Sequence, residues 1–134
     1  MEKKFTRNIE TLDEVFSFVE QSCGSFHIDA ALLFSINFVV EELFTNIVKY
    51  NKSGSQSDIM LSFEKKDGQL FIKLTDYDVD PFDVTQVADV DTSQSLEERK
   101  VGGLGVHLVR MMVDDIQYTY SNRESTITLI KNLG

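Results

Sequence analysis

Several residue types that support particular kinds of function are scarce in this chain of 134 residues. Its one cysteine, Cys23, allows no disulfide within the chain and no cluster of thiolate metal ligands. The neighbours of Cys23 supply no base, so we expect an unreactive, buried thiol. The two histidines, His27 and His107, are too few for a histidine-rich zinc site.

Basic residues are outnumbered, with 13 Lys and Arg against 22 Asp and Glu and a formal net charge of −9. This acidity argues against general nucleic-acid binding and against docking on an anionic membrane. No stretch approaches the about 18 uninterrupted apolar residues of a membrane span, and the N-terminus lacks the apolar segment of a signal peptide. With 42% hydrophobic residues, we expect one globular, cytoplasmic domain over residues 1–134.

The N-terminal half has the apolar spacing of two helices. After a short first strand over residues 5–9, Thr11 and Glu14 form the pattern of a capping box ahead of the first helix. Asp29 is the expected N-cap of a second, longer helix that ends at about Tyr50.

The following residues change to the alternating pattern of strands. Apolar side chains alternate over residues 59–63 and 70–74, and Asp67-Gly68 between them is a strong hairpin signal. The second of these strands ends at Asp76.

The C-terminal part lacks a sustained period until a helix begins at about Leu104. This helix extends to about Asp114, and residues 116–120 and 126–131 then predict a closing hairpin. Because strands do not alternate singly with helices, the order predicts an α+β fold with a mostly antiparallel sheet and about three helices.

One polar patch lies on the second predicted helix. Glu42, Asn46 and Lys49 have the spacing i, i+4, i+7, which places them on one helix face. Taken alone, this patch is more typical of a solvated helix edge that carries a charge pair.

Two further patches follow the strands. Asp76, at a strand exit, could accept a hydrogen bond from a ligand amino group, although aspartate is also common in turns. Gly103-Leu104-Gly105 opens a helix, where close backbone approach and free N–H groups favour phosphate. A lone glycine pair of this kind is weak evidence.

In this order and spacing the three patches resemble the N box, G1 box and G2 box of the gyrase/histidine-kinase-type ATPases. Within that superfamily the chain resembles the bacterial anti-sigma factors that are serine/threonine protein kinases. The Pro-Phe-Asp at 81–83 and the run over residues 96–110 also carry this resemblance. It implies the histidine-kinase-like ATPase (Bergerat) fold, a two-layer sandwich with an ATP lid over about residues 84–101.

The resemblance implies roles for the residues of the helix patch. Glu42 matches the general base, which would polarise the hydroxyl of a substrate serine or threonine. Asn46 matches the asparagine that holds Mg²⁺, a hard cation that prefers oxygen ligands and bridges the ATP phosphates. Lys49 is a candidate phosphate contact.

Asp76 matches the aspartate that accepts a hydrogen bond from the adenine amino group. The family usually has glycine two residues later, where this chain has Asp78, and Asp78 is therefore an alternative for the same role. The substitution removes the conformational freedom of glycine, which we expect to weaken ATP binding.

The remaining nucleotide contacts implied by the resemblance lie around the third helix. Gly103 and Gly105, with Leu104 between them, match the phosphate-binding glycines. Arg99 and Lys100, just before them, would add positive charge when the lid closes.

The implied function is that of an anti-sigma factor with Mg-ATP-dependent kinase activity toward an antagonist protein. Its partners would be a sigma factor, the antagonist and, as the family implies, a second copy in a homodimer. The alternative is a catalytically weak or inactive protein-binding module of the same fold. Residues 76–98 hold eight acidic residues and no Lys or Arg, so this segment would gate metal-nucleotide entry, meet a basic partner or form a solvated loop.

Overall fold

The computed structural model describes residues 1–51, 54–81 and 103–133, with only the backbone given for 103–106. Five strands and three α-helices form within these residues. The strands are β1 (Glu2–Phe5), β2 (Ile59–Lys66), β3 (Gln69–Tyr77), β4 (Asp115–Ser121) and β5 (Glu124–Asn132). The helices are α1 (Leu12–Ser25), preceded by a 3₁₀ turn over Ile9–Thr11, α2 (Ala30–Lys49) and α3 (Gly103–Met112).

The strands form one sheet in the order β1-β2-β3-β5-β4, and all neighbouring strands are antiparallel. The register aligns Leu61, Leu74 and Ile127 across three strands, and all three side chains are buried. The opposite face carries exposed polar side chains such as Glu64 and Lys73. Because strand side chains alternate, one face is apolar and packs against the helices, which confirms the predicted α+β, two-layer fold.

Helix α2 is the central helix of the core. Its buried side chains are Ile36, Val39, Val40, Leu43, Phe44, Asn46 and Ile47. By length and composition alone α2 could also span a membrane. In this structure its apolar stripe packs instead with residues of α1 and the sheet in one hydrophobic cluster, as the core helix of a folded domain does.

The local signals in the sequence specify two of the chain reversals as predicted. The Asp29 carboxylate accepts a hydrogen bond from the Leu32 N–H at 2.8 Å and caps α2. Asp67 and Gly68 have φ angles of +52° and +75°, the left-handed pair that a two-residue hairpin turn requires.

The N-terminal segment differs from the prediction. The first strand is Glu2–Phe5 rather than residues 5–9, because the Asn8 side chain accepts from the Glu10 N–H at 2.9 Å and starts the 3₁₀ turn early. Thr11 is therefore already helical, with φ −83° and ψ 0°, and its hydroxyl donates to the carbonyls of Thr6 and Asn8. The predicted capping box does not form.

Cys23 lies in the core on α1, with 1% of its surface exposed. Burial raises the pKa of its thiol to about 11. The thiol is therefore buried, as predicted, and because the thiolate is the reactive species we expect little reactivity at neutral pH.

Candidate functional site

The polar patch on α2 changes in burial along its length. Asn46 is buried, with 1% of its surface exposed, whereas Glu42 one turn before it is half-buried and Lys49 is exposed. The helical repeat places the three on one stripe, as the spacing predicted. The Lys49 ammonium lies 5.7 Å from the centre of the Tyr50 ring.

Glu42 carries the electrostatic signature of a proton acceptor. Burial and the neighbouring charge of Glu41 raise the pKa of Glu42, and the positive charge of Lys49 partly counters them. A carboxylate with a raised pKa is a stronger base, so it takes a proton from a hydroxyl more readily. The residue as a whole is only half-buried.

Asn46 has an unsatisfied polar atom at the base of the same stripe. Its Nδ2 is buried and has no hydrogen-bond partner within the described part of the chain. Buried polar atoms without partners are uncommon and often mark a position that a ligand, ion or water completes. A half-turn of the amide exchanges its nitrogen and oxygen, so the side chain can present either a donor or an acceptor.

Asp76 lies near the end of β3, on the face of the sheet that packs against the helices. Its cross-strand partners are Ile59 and Ser125, both buried, and directly opposite residues point to the same face. Burial raises the pKa of Asp76, while the hydrogen bond and the positive charge of Arg7 oppose that increase. The Asp76 carboxylate is thus a partly buried acceptor at one end of the core.

Arg7, which sequence analysis did not single out, forms an ion pair with Asp76. Its NH2 donates to Asp76 Oδ1 and to the Ser55 hydroxyl, and its Nε donates to the Ser57 carbonyl at 3.1 Å. The Ser55 hydroxyl in turn donates to the Tyr77 carbonyl at 2.7 Å. This network, which we call the Arg7 network, joins the segment after β1, the loop before β2 and the end of β3.

Asp78 occupies a different environment from Asp76. Its side chain is exposed and pairs with Arg123 at 3.0 Å, and the same guanidinium contacts Asp80 at 2.9 Å. Arg123 belongs to the β4–β5 turn, where Asn122 and Arg123 have φ angles of +53° and +62°. The two aspartates that the sequence left as alternatives are therefore separated, and Asp76 is the one that faces the helices.

Asp78 stands where the family usually has glycine, and its backbone is left-handed in this structure. Its φ is +56°, in the left-handed region that glycine adopts freely. Aspartate is among the residues that tolerate this region, because its short polar side chain can form local hydrogen bonds. The weaker ATP binding expected from the loss of glycine stays a prediction.

One further polar residue that the sequence analysis missed, Ser125, borders Asp76. Ser125 is its cross-strand partner on β5, and the Ser125 hydroxyl is 3.2 Å from the Tyr118 hydroxyl on β4. A small polar residue that begins the buried series Ser125, Ile127 and Leu129 is the sequence signal that would have identified this position.

The predicted phosphate-binding residues are only partly described. Gly103, Leu104 and Gly105 form the first turn of α3, and the structure describes their backbone alone. A helix start has backbone N–H groups that lack partners within the helix, which suits an anion. Arg99, Lys100 and the lid predicted over residues 84–101 lie outside the described residues.

A family comparison fits this arrangement. The sequence profile described as the histidine kinase-like ATPase domain matches residues 5–131, nearly the whole chain. The chain belongs to this family. Membership in an ATPase family implies that the domain binds ATP, and the family fold is the one described above.

Solved structures support the fold of this histidine kinase-like ATPase domain. A protein of Mycobacterium tuberculosis with RsbU and RsbW domains matches with a TM-score of 0.69 and 13% identity, over 98% of this chain and 32% of that one. The blue-light activated histidine kinase of Erythrobacter litoralis matches with a TM-score of 0.53 and 16% identity, over 93% of this chain and 60% of that one. The histidine kinase AdeS of Acinetobacter baumannii matches with a TM-score of 0.52 and 16% identity, over 100% of this chain and 68% of that one.

The chain thus spans about a third of the length of the first of these neighbours, and at these identities the similarity concerns the fold. Among curated protein sequences, none is significantly similar to the chain.

The residues of the ATPase domain fit a magnesium nucleotide better than an isolated metal ion. In the described ranges no group of three or more His, Cys, Asp or Glu side chains could hold a metal by itself. Mg²⁺ in nucleotide sites takes most of its ligands from water and phosphates. The unsatisfied amide of Asn46 and the partly buried carboxylate of Asp76 suit a nucleotide, which brings its own phosphates and amino group.

Proposed function

We propose that this ATPase domain is an anti-sigma factor that uses Mg-ATP to phosphorylate a serine or threonine of an antagonist protein. The observation that carries the proposal is the pairing, one turn apart on α2, of a half-buried glutamate with a raised pKa and a buried asparagine with an unsatisfied amide. The RsbW domain of the mycobacterial neighbour supports the regulatory part, because RsbW is an anti-sigma factor kinase.

In this proposal the side chains have distinct tasks. Asn46 would hold Mg²⁺ through its amide oxygen, Asp76 would accept from the adenine amino group, and the backbone of Gly103–Gly105 would contact phosphate. Lys49, with Arg99 and Lys100, would add positive charge. Bound Mg²⁺ would neutralise charge on the phosphates, so the protein mainly supplies positioning.

Glu42 would act on the protein substrate. The substrate hydroxyl would give its proton to the Glu42 carboxylate while its oxygen forms a bond to the γ-phosphorus. The bond between that phosphorus and the bridging oxygen of the leaving diphosphate would break in the same step. The raised pKa of Glu42 makes it a better proton acceptor than an ordinary surface glutamate.

The same proposal covers partners and location. A sigma factor would be sequestered while the antagonist is phosphorylated, the protein would act in the cytoplasm, and two copies would associate as a homodimer. The net charge of −9 supports protein partners over direct nucleic-acid contact.

The test combines nucleotide binding with phosphoryl transfer. Calorimetry with ATP and Mg²⁺ should give binding by the unaltered protein and weaker binding by Asn46→Ala. Asn37→Ala, nine residues earlier on the same helix, is the matched control, because Asn37 Oδ1 is also buried without a partner among the described residues. It should bind as the unaltered protein does. Incubation with labelled ATP and the antagonist encoded beside the gene should label the antagonist, and Glu42→Ala should slow this by about a hundredfold or more.

A second function, a protein-binding module without transferase activity, is favoured by one observation. Asp76 Oδ1 is already engaged by Arg7, so only one oxygen of this carboxylate is left for the adenine amino group. ATP binding weaker than about millimolar, or binding without transfer to any antagonist, would support this second function and contradict the first.

A further inference from the structure

Arg7 is an unusual residue to find beside a candidate nucleotide site. Its side chain is 6% exposed, which is far more buried than most arginines. The segment after β1 brings it to Asp76, 69 positions later in the chain. Three of its contacts, to Asp76, Ser55 and Ser57, use only two of its three guanidinium nitrogens.

The third nitrogen is unsatisfied. Arg7 NH1 is buried and has no hydrogen-bond partner within residues 1–51, 54–81 and the described part of 103–133. An unpaired buried donor on a charged group is more costly than one on a neutral group, and arginine is planar, so NH1 cannot turn independently toward another acceptor. The position of NH1 is set by the contacts of the other two nitrogens.

Only one oxygen of the Asp76 carboxylate contacts Arg7. Arg7 meets Asp76 through Oδ1 alone, and Asp76 Oδ2 has no hydrogen bond to any described residue. Arginine and carboxylate groups that serve only as an ion pair frequently form two parallel hydrogen bonds. Here the single contact leaves one acceptor and one donor unused in the same small region.

We propose that Arg7 is a base-recognition residue: its NH1 donates to the N1 atom of adenine while Asp76 Oδ2 accepts from the adenine amino group. The proposal rests on nucleotide binding at the site, as set out above. In this arrangement the ion pair between Arg7 and Asp76 does not block the base, because it holds the donor and the acceptor that contact adenine.

The chemistry of the bases gives this pair a preference. Adenine presents an amino donor next to a ring-nitrogen acceptor, which complements an acceptor next to a donor. Guanine presents a carbonyl acceptor next to an N–H donor, so each of its groups would face a protein group of the same kind. The pair therefore favours ATP over GTP. Arg7 also opposes the rise that burial causes in the pKa of Asp76, which helps to keep its carboxylate an acceptor.

The test changes one atom of the ligand as well as one residue of the protein. Calorimetry with Mg²⁺ would compare ATP with 1-deaza-ATP, in which a C–H group replaces N1, for the unaltered protein, Arg7→Lys and Arg7→Met. We expect the unaltered protein to bind 1-deaza-ATP about tenfold or more weakly than ATP, the loss of one hydrogen bond to a charged donor. Both variants should bind the two ligands about equally.

Arg123→Met is the matched control, because Arg123 pairs with Asp78 and Asp80 on the surface. It should keep the full preference of the unaltered protein for ATP. Circular dichroism would check that each variant folds. If Arg7→Met does not fold, the comparison of ATP with 1-deaza-ATP on the unaltered protein and on Arg7→Lys still tests the role of Arg7.

The outcomes separate this inference from the proposed function. Equal binding of ATP and 1-deaza-ATP by the unaltered protein would overturn the role of Arg7 and leave ATP binding intact. Tighter ATP binding by Arg7→Met would also overturn it, because Arg7 would then obstruct the site. If the unaltered protein bound no nucleotide, the proposed function would fail and the inference with it.

Discussion

Two arginine–aspartate clusters lie close together in the chain, one at the end of β3 and one just after it, and they differ chiefly in burial. Arg7 and Asp76 have side chains that are 6% and 15% exposed, whereas Arg123 and its partner Asp78 are 52% and 66% exposed. Water stabilises the exposed charges whether or not they are paired. The buried charges depend on each other, because removing one leaves the other without a partner in a poorly solvated place.

The largest effect should come from breaking the buried cluster. Asp76→Ala leaves the Arg7 guanidinium buried without its counter-charge, so we expect the free energy of unfolding to fall by about 3 kcal/mol. Urea denaturation followed by circular dichroism would measure it. The double variant Arg7→Met with Asp76→Ala should recover part of the loss, since no charge then stays buried. A double variant as unstable as the sum of the single changes would contradict the interdependence.

An intermediate effect should come from Glu42, a half-buried charge whose pKa is raised by burial and by Glu41. Because the folded pKa lies above the unfolded one, the folded state holds the proton more tightly. Stability is therefore greatest below the unfolded pKa and falls as pH rises through the folded pKa. As the pH rises from the unfolded to the folded pKa of Glu42, the Glu42→Gln variant should lose less stability than the unaltered protein. Urea denaturation at several pH values from about 4 to 7 would measure this.

The matched control for Glu42→Gln is Glu20→Gln, which changes an exposed glutamate on α1. Its stability should follow the pH dependence of the unaltered protein. A Glu42→Gln profile parallel to that of the unaltered protein would mean that burial does not perturb this carboxyl.

The smallest effect should come from the exposed cluster. Arg123→Gln removes both ion pairs with Asp78 and Asp80, yet we expect no measurable change in the thermal midpoint at physiological salt, because the groups are solvated and screened. Scanning calorimetry would test this. A marked fall in the midpoint would show that the Asp78–Arg123 contact holds the turn after β3 in place.

The sequence predicted those parts of the fold that local chemistry determines. Asp29 caps α2 and Asp67-Gly68 forms the hairpin turn because neighbouring residues decide both structures. The first strand was misplaced since the Asn8 side chain, which starts a 3₁₀ turn, competes with continued pairing of β1. Alternation alone does not reveal that competition.

In the candidate site, too, the residues related by local spacing were predicted and those that depend on distant contacts were not. Glu42 and Asn46 were predicted together because the helical repeat fixes their common face. The choice between Asp76 and Asp78 depends on which way the strand exit points, and the spacing left it open. Arg7 could not be predicted at all, because its partner is 69 residues away and only the pairing of β1 with β2 brings them together.

The shortness of β1 has a consequence for how occupancy of the site could be detected. A four-residue strand at the edge of a sheet opens readily, and its backbone amides then exchange hydrogen with solvent. Arg7 is two residues beyond the end of this strand, so a ligand held by Arg7 would stabilise the closed, paired state of β1 by its binding free energy. Slower amide exchange over residues 2–5 would then report a nucleotide bound at the far end of the Arg7 side chain.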